Sequence, residues 1–256
     1  MNVVAGLARE YWIRTWKMRQ KYHRFEVKGA EVLQRPGPAI IAGYHGRPFA
    51  SDLLMLQVHM LDRSVACRPL VHDSFAKSPF FRPIVEGMGF LTGEGPELDR
   101  AVAEGAKIII TPGGGKESMR ASTVRYRSNW ENRLGFARLA LQKRLPIIPA
   151  AGAGVDDQYL SLIDGYRTAR RLGLPKKMML FFGVGPLGLF PFSPPFPVKI
   201  TLHLGRPIPP EGDAKSEKDV QALHARVVGA VEVLLDKVRE ENCAGALYQP
   251  EDATWA

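Results

Sequence analysis

The chain has 256 residues, of which 45% are hydrophobic, so it suits a single domain with a substantial core. Its formal net charge of +9 favours an anionic partner: nucleic acid, an acidic membrane surface or a phosphorylated cofactor. Two cysteines, Cys67 and Cys243, exclude a disulfide framework and a CxxC metal pair, so a reducing compartment is expected.

Residues 2–24 fit an amphipathic helix. Leu7, Tyr11, Ile13, Trp16 and Met18 supply apolar bulk, and Arg9, Arg14, Lys17, Arg19, Lys21 and Arg24 supply charge. A basic helix of this kind suits an interfacial membrane anchor, with Trp rings at headgroup depth and cations on anionic lipid. It equally suits a surface helix whose Trp residues pack on the domain. On this reading residues 1–30 form an N-terminal helical segment and residues 31–256 the main domain. Nothing in Met1–Ala8 resembles a secretory signal. No stretch reaches the roughly 18 apolar residues of a membrane span.

From Pro38 onward the pattern alternates. Strands are expected at Ala39–Gly43, Val65–Val71, Lys107–Thr111, Ile147–Ala151 and Val198–Leu204. Helices are expected at Phe49–Leu61, Glu97–Glu104, Arg133–Lys143 and Glu217–Glu240. The last of these repeats apolar residues from Val220 to Val238 with a helical period. The fold class is therefore α/β, a mixed, largely parallel sheet flanked by helices, with an N-terminal amphipathic helix. The stretch 181–197 is apolar and Pro-rich. It reads as a loop that wraps the core or faces a membrane or acyl chain.

Two strand ends carry chemistry. After Ala39–Ala42 comes Gly43-Tyr44-His45-Gly46-Arg47-Pro48-Phe49-Ala50-Ser51-Asp52, and after Lys107–Ile110 comes Thr111-Pro112-Gly113-Gly114-Gly115-Lys116-Glu117. Acyl transfer from a thioester to an alcohol needs a base, a group that orients the base, and donors for the oxyanion. His45 suits the base and Asp52 the orienting carboxylate. Gly46 permits close approach, and Pro48 keeps the following segment from being regular helix. Gly113, Gly114 and Gly115 leave backbone N–H groups bare toward a substrate. Glu117 is placed to bind a hydroxyl or anchor the turn, and Lys116 and Arg120 to meet a phosphate.

Other motifs are excluded. The Gly-rich turn is no Walker A loop: its first Gly would fall at Ile110, and Glu117 follows Lys116. The Gly spacing also fails the dinucleotide fingerprint, and no Gly-x-Ser-x-Gly elbow occurs. His59, His72, His203 and His224 lack a second ligand at a metal spacing, so no metal is expected. The run Arg167…Arg170-Arg171…Lys176-Lys177 reads as a solvated face, or as one that meets coenzyme A phosphate or lipid headgroups. No basic strand face with aromatics and no recognition helix points to nucleic acid.

In these blocks the chain resembles the glycerolipid acyltransferase superfamily, which includes lysophosphatidate acyltransferases. It is most similar to the monoacylglycerol/diacylglycerol acyltransferase-like branch. The resemblance rests on Tyr44-His45-Gly46…Pro48…Asp52 and on Pro112-Gly113-Gly114-Gly115-Lys116-Glu117. It continues through Arg133-Leu134-Gly135-Phe136-Ala137, Pro146-Ile147-Ile148-Pro149 and Leu204-Gly205-Arg206-Pro207-Ile208-Pro209, and so runs from about Gly37 to Pro209. It implies a peripheral enzyme at the cytoplasmic face of a membrane. The acyl donor would be acyl-CoA or an acyl carrier protein, with no resident cofactor. A lipid hydroxyl would be the acceptor and an anionic membrane surface the setting. His45 and Asp52 would be catalytic; Gly46, Arg47, Pro112, Gly113, Gly114, Gly115, Lys116 and Glu117 would bind substrate.

Two departures sharpen the expectation. The family's usual block is His-x4-Asp, whereas six residues separate His45 from Asp52. On a straight helix that offset spans roughly 10 Å, so the intervening segment must loop, or Asp73 becomes the next partner. The phosphate-acceptor members carry an Arg in stretches that here read Gly89-Phe90-Leu91-Thr92-Gly93 and Gly114-Gly115-Lys116-Glu117. Its absence favours a neutral acceptor over lysophosphatidate. A lysophospholipid acyltransferase, a thioesterase and a non-catalytic lipid-binding relative remain as alternatives.

Overall fold

The structure is a computed structural model that describes residues 3–174 and 180–243; Lys176, Lys177 and the side chain of Cys243 lie outside the described residues. In chain order the elements are α1 (Val3–Tyr22), β1 (Glu26–Lys28), β2 (Ala39–Gly43), α2 (Ser51–Leu61), β3 (Cys67–Pro69), α3 (Asp73–Lys77), α4 (Arg82–Met88) and α5 (Pro96–Ala103). They continue with β4 (Lys107–Ile110), α6 (Gly114–Ser118), α7 (Gly135–Lys143), β5 (Ile147–Ala153), α8 (Gly165–Arg171), β6 (Val184–Gly185), β7 (Gly188–Leu189), β8 (Thr201–Leu204) and α9 (Glu217–Cys243).

Six strands form one sheet in the order β1-β8-β5-β2-β4-β3. β2 lies at its centre, parallel to β4 through Ile40↔Ile108 and to β5 through Ile41↔Ile148. β8 runs antiparallel to β5, so the sheet is mixed but mostly parallel. The apolar runs in β2, β4 and β5 follow from burial on both faces. Alternate side chains go to opposite sides. Ile40, Ala42 and Ile108 face α7 and α9, while Ala39, Ile41 and Ile109 face Leu53, Leu56 and Met60 of α2. Ile40 and Ile41 are fully buried, each worth about 1.5–3 kcal/mol relative to exposure.

The Trp residues of α1 turn inward. Trp16 packs with Met55, Val58 and Ile200, and Trp12 lies 5.6 Å edge-on from Phe90. The opposite face keeps Leu7, Tyr11 and Met18 exposed. Among the described residues no helix is long and apolar enough to cross a membrane.

Several elements were not expected from the sequence. β1 is three residues long and exists because it pairs with β8 at the sheet edge. α3, α4 and α8 are five to seven residues each, too short to show a period. The 181–197 stretch contains the small β6–β7 hairpin rather than only loop.

Candidate active site

The site lies beyond the carboxyl ends of β2, β4 and β5, where ligands gather in sheets of this kind. β2 ends at Gly43 and delivers Tyr44, His45, Gly46 and Arg47 into a tight loop. The Gly46 carbonyl closes this loop by accepting the Ala50 N–H at 2.9 Å. Ala50 then adopts φ +48°, and α2 begins at Ser51. The segment thus loops as the long His–Asp spacing requires. A Cβ on Gly46 would stand 2.3 Å from Val155 Cγ2, so only glycine lets the loop lie this close to the segment after β5.

His45 is fixed on several sides. Its N–H donates to Glu117 Oε2 at 2.9 Å, and its carbonyl accepts from Arg120 Nη2 at 3.4 Å. Nδ1 lies 3.1 Å from the Gly46 carbonyl. A carbonyl only accepts, so this bond puts the proton on Nδ1 and leaves the Nε2 lone pair free. Burial pushes the imidazole pKa down to about 4, aided by the Arg120 charge and opposed by the Gly46 contact. The ring is therefore neutral at pH 7.

Asp52 sits in the first turn of α2 and is wholly buried. Neither carboxylate oxygen has a hydrogen-bond partner, and no hydrogen bond joins it to His45. Burial raises its pKa to about 7, against the pull of the N–H groups of Leu53 and Asp52. Asp73, the other carboxylate singled out, is exposed at the start of α3, 3.4 Å from Lys77.

The second block forms a turn and the short helix α6. The Gly114 N–H is committed to the Thr111 carbonyl at 3.1 Å. A Cβ on Gly113 would fall 1.9 Å from Glu117 Cδ, so this glycine makes room for the carboxylate. Glu117 is fully buried and anchors the site: besides His45 N–H, it accepts the Asn129 N–H at 2.5 Å. Pro112 is half-buried beside it, and Lys116 reaches outward to Glu131 at 3.0 Å.

Beneath the His45 loop lies a buried cluster centred on Asp156, three residues past β5. Asp156 Oδ2 accepts the Tyr44 hydroxyl at 2.6 Å and the Tyr126 N–H at 3.0 Å; Oδ1 accepts the Arg47 N–H at 3.0 Å. One carboxylate therefore grips the residues on both sides of His45. Burial pushes the Asp156 pKa up, but Arg120, Arg47 and the Tyr44 hydroxyl outweigh it, and the acid stays below its ordinary range. Arg47 also bonds the Asp156 carbonyl, the Arg120 carbonyl and Ser122. Arg120 stacks 4.4 Å over the Tyr44 ring and bonds its hydroxyl and the Glu117 carbonyl. Both guanidiniums are thus committed to internal partners rather than held open for a phosphate.

Asp156 escaped the sequence reading. Its one signal was position: an Asp-Asp pair just past a buried strand whose neighbours end in the other two blocks. The Gly89–Thr92 stretch lines a separate cleft of about 460 Å³. There Arg68, Arg82 and Arg100 are matched by Glu86, Glu97 and Glu104, which leaves no cationic excess. Among the described residues no cluster of His, Cys, Asp or Glu is arranged to hold a metal ion.

Comparison with known proteins bears on the family of the chain. The family model described as Acyltransferase matches residues 24–152, which contain both motif blocks. The chain is 30% identical over 220 residues to the human "DGAT1/2-independent enzyme synthesizing storage lipids", covering 84% of this chain and 62% of that protein. The mouse protein of the same name is 30% identical over 238 residues, 87% of this chain and 68% of that protein. The bovine one is 29% identical over 220 residues, so the chain spans about 60% of the length of the bovine and human relatives. A solved 1-acyl-sn-glycerophosphate acyltransferase from Thermotoga maritima aligns with a TM-score of 0.49 at 17% identity, over 88% of this chain and 79% of that one. By the match across both blocks and the level of identity, the chain belongs to the acyltransferase family.

Proposed function

We propose that the protein moves a fatty acyl group from acyl-CoA or an acyl carrier protein to the hydroxyl of a neutral glycerolipid or long-chain alcohol. The setting would be an anionic membrane surface on the cytoplasmic side. The observation that carries this reading is the His45 ring: neutral, with Nδ1 held by the Gly46 carbonyl and Nε2 left free as a base. The acceptor oxygen attacks the thioester carbonyl as Nε2 takes its proton. The N–H groups of Gly113 and Gly115 receive the oxyanion. As the C–O bond forms and the C–S bond breaks, the departing thiolate recovers the proton from the imidazolium. On rotation of the ring, the unpartnered Asp52 carboxylate takes over the Nδ1–H and steadies the charge. No covalent enzyme intermediate is invoked.

A neutral acceptor is favoured because Arg47 and Arg120, the two arginines of the His45 cluster, are internally committed. The storage-lipid name of the mammalian relatives points the same way. The test supplies long-chain acyl-CoA or acyl carrier protein with monoacylglycerol, diacylglycerol, fatty alcohol or lysophosphatidate, and measures the lipid product. Faster acylation of a neutral acceptor is expected; preference for lysophosphatidate overturns the assignment.

The missing His45–Asp52 bond favours a second reading, a lipid-binding relative without activity. It predicts vesicle binding that survives His45→Ala and no thioester cleavage by either form.

A further inference from the structure

We propose that the β6–β7 hairpin and the segment before α8 form a bilayer-docking face that sets the His45 loop against the membrane. Phe192, Leu187, Leu162 and Leu189 are 92%, 79%, 74% and 66% exposed. Large apolar side chains this open, grouped on one edge, mark a contact with a partner. They are firmly supported. Leu160 and Val184 exchange backbone hydrogen bonds of 2.9 and 2.7 Å, and Ser193 Oγ accepts the Leu187 N–H at 3.0 Å. Under the tips, the Phe190 ring lies 5.3 Å from Phe181, 5.5 Å from Tyr159 and 5.8 Å from Phe49. Phe49 belongs to the loop that carries His45, so the hairpin rests directly on the catalytic segment.

The charge beside the face selects the occupant. The segment from Leu160 to Ile163 runs into α8, which exposes Arg171 and Arg167, the latter 3.8 Å from Asp164. Apolar tips beside guanidiniums suit acyl chains beside anionic headgroups. A second copy of this chain would bring like charges together across the contact, in a protein whose net charge is +9. The proposal deepens the acyl-transfer reading by naming the face through which a lipid acceptor reaches His45. Its test uses no turnover, so the two readings fail separately.

The full chain is sedimented with phosphatidylcholine vesicles, with and without phosphatidylglycerol. Leu187→Ser/Leu189→Ser/Phe192→Ser is expected to weaken binding to both by roughly tenfold or more, with an unchanged melting temperature. Arg167→Gln/Arg171→Gln is expected to lose only the gain due to phosphatidylglycerol. As a measurement independent of folding losses, Phe192→Cys with an environment-sensitive fluorophore is expected to blue-shift on vesicles relative to equally treated wild type. Wild-type binding of the triple variant, no shift of the probe, or binding lost only in Leu7→Ser/Tyr11→Ser on α1 would overturn the proposal. So would a dimer in solution that the triple variant abolishes.

Discussion

Asp52→Asn should make the fold more stable at pH 8 while crippling acyl transfer. The carboxyl is fully buried, has no hydrogen-bond partner, and titrates at about 7 rather than 3.8. Between those values the folded chain holds a proton that the unfolded chain releases. Wild-type stability from this group therefore falls as pH rises from about 4 to about 7, and the penalty is constant above that. From pH 5 to pH 8, about two pH units of that window remain, worth about 2.7 kcal/mol at 1.36 kcal/mol per unit. The amide never ionises, so the variant-minus-wild-type difference should grow by that amount. Taking the difference also cancels the opposite contribution of His45, whose low pKa stabilises the fold as pH rises from about 4 to 6.5. Urea unfolding at pH 5, 6, 7 and 8 measures it. A flat difference, or a variant less stable at pH 8, would show that the Asp52 charge has a partner and refute the reasoning. The accompanying loss of turnover, on the order of 10⁴-fold for a carboxylate that orients a catalytic His, would mark a site where stability is given up for function.

Further outcomes follow from the same geometry. Asp156→Asn leaves Arg47 without its buried anion and Arg120 with Glu117 alone, and turns an amide NH₂ toward a donor. It should cost about 3–5 kcal/mol and lower the melting temperature by roughly 10 °C, read by calorimetry. Because Asp156 is held below its ordinary range, its stabilisation should be full at neutral pH and fade only as pH falls through the acid range. The acid limb of kcat/KM should lie at about 7, from Asp52, and move down toward the His45 value of about 4 in Asp52→Asn. Gly46→Ala drives a methyl to within 2.3 Å of Val155, displaces the carbonyl that holds Nδ1, and should lower kcat more than it changes KM.

The central strands were legible because burial on both faces leaves an unbroken apolar run, as in Ala39–Gly43 and Lys107–Ile110. Both chemical blocks were legible because each follows such a run. The role of Asp156 was not, since it depends on three strand ends converging from distant parts of the chain. The same holds for Arg47 and Arg120: in the sequence they are free cations, and only packing shows them enclosed. The wheel of α1 fits two orientations equally. The structure turns Trp12 and Trp16 inward because Val85, Met88 and Phe90 of α4 and its flank make a bed for Trp12, and Met55, Val58 and Ile200 make one for Trp16. Glu26–Lys28 carries charged outer residues over three positions, too little for a strand signal until β8 pairs with it.

The most direct test of His45 as the base of acyl transfer is free-thiol release from a long-chain acyl-CoA or acyl carrier protein by wild type and His45→Ala, with and without a neutral acceptor in detergent micelles. Acceptor-dependent release is expected from wild type, and none above background from the variant. Equal release by both proteins, or none with any donor and acceptor, would contradict that role.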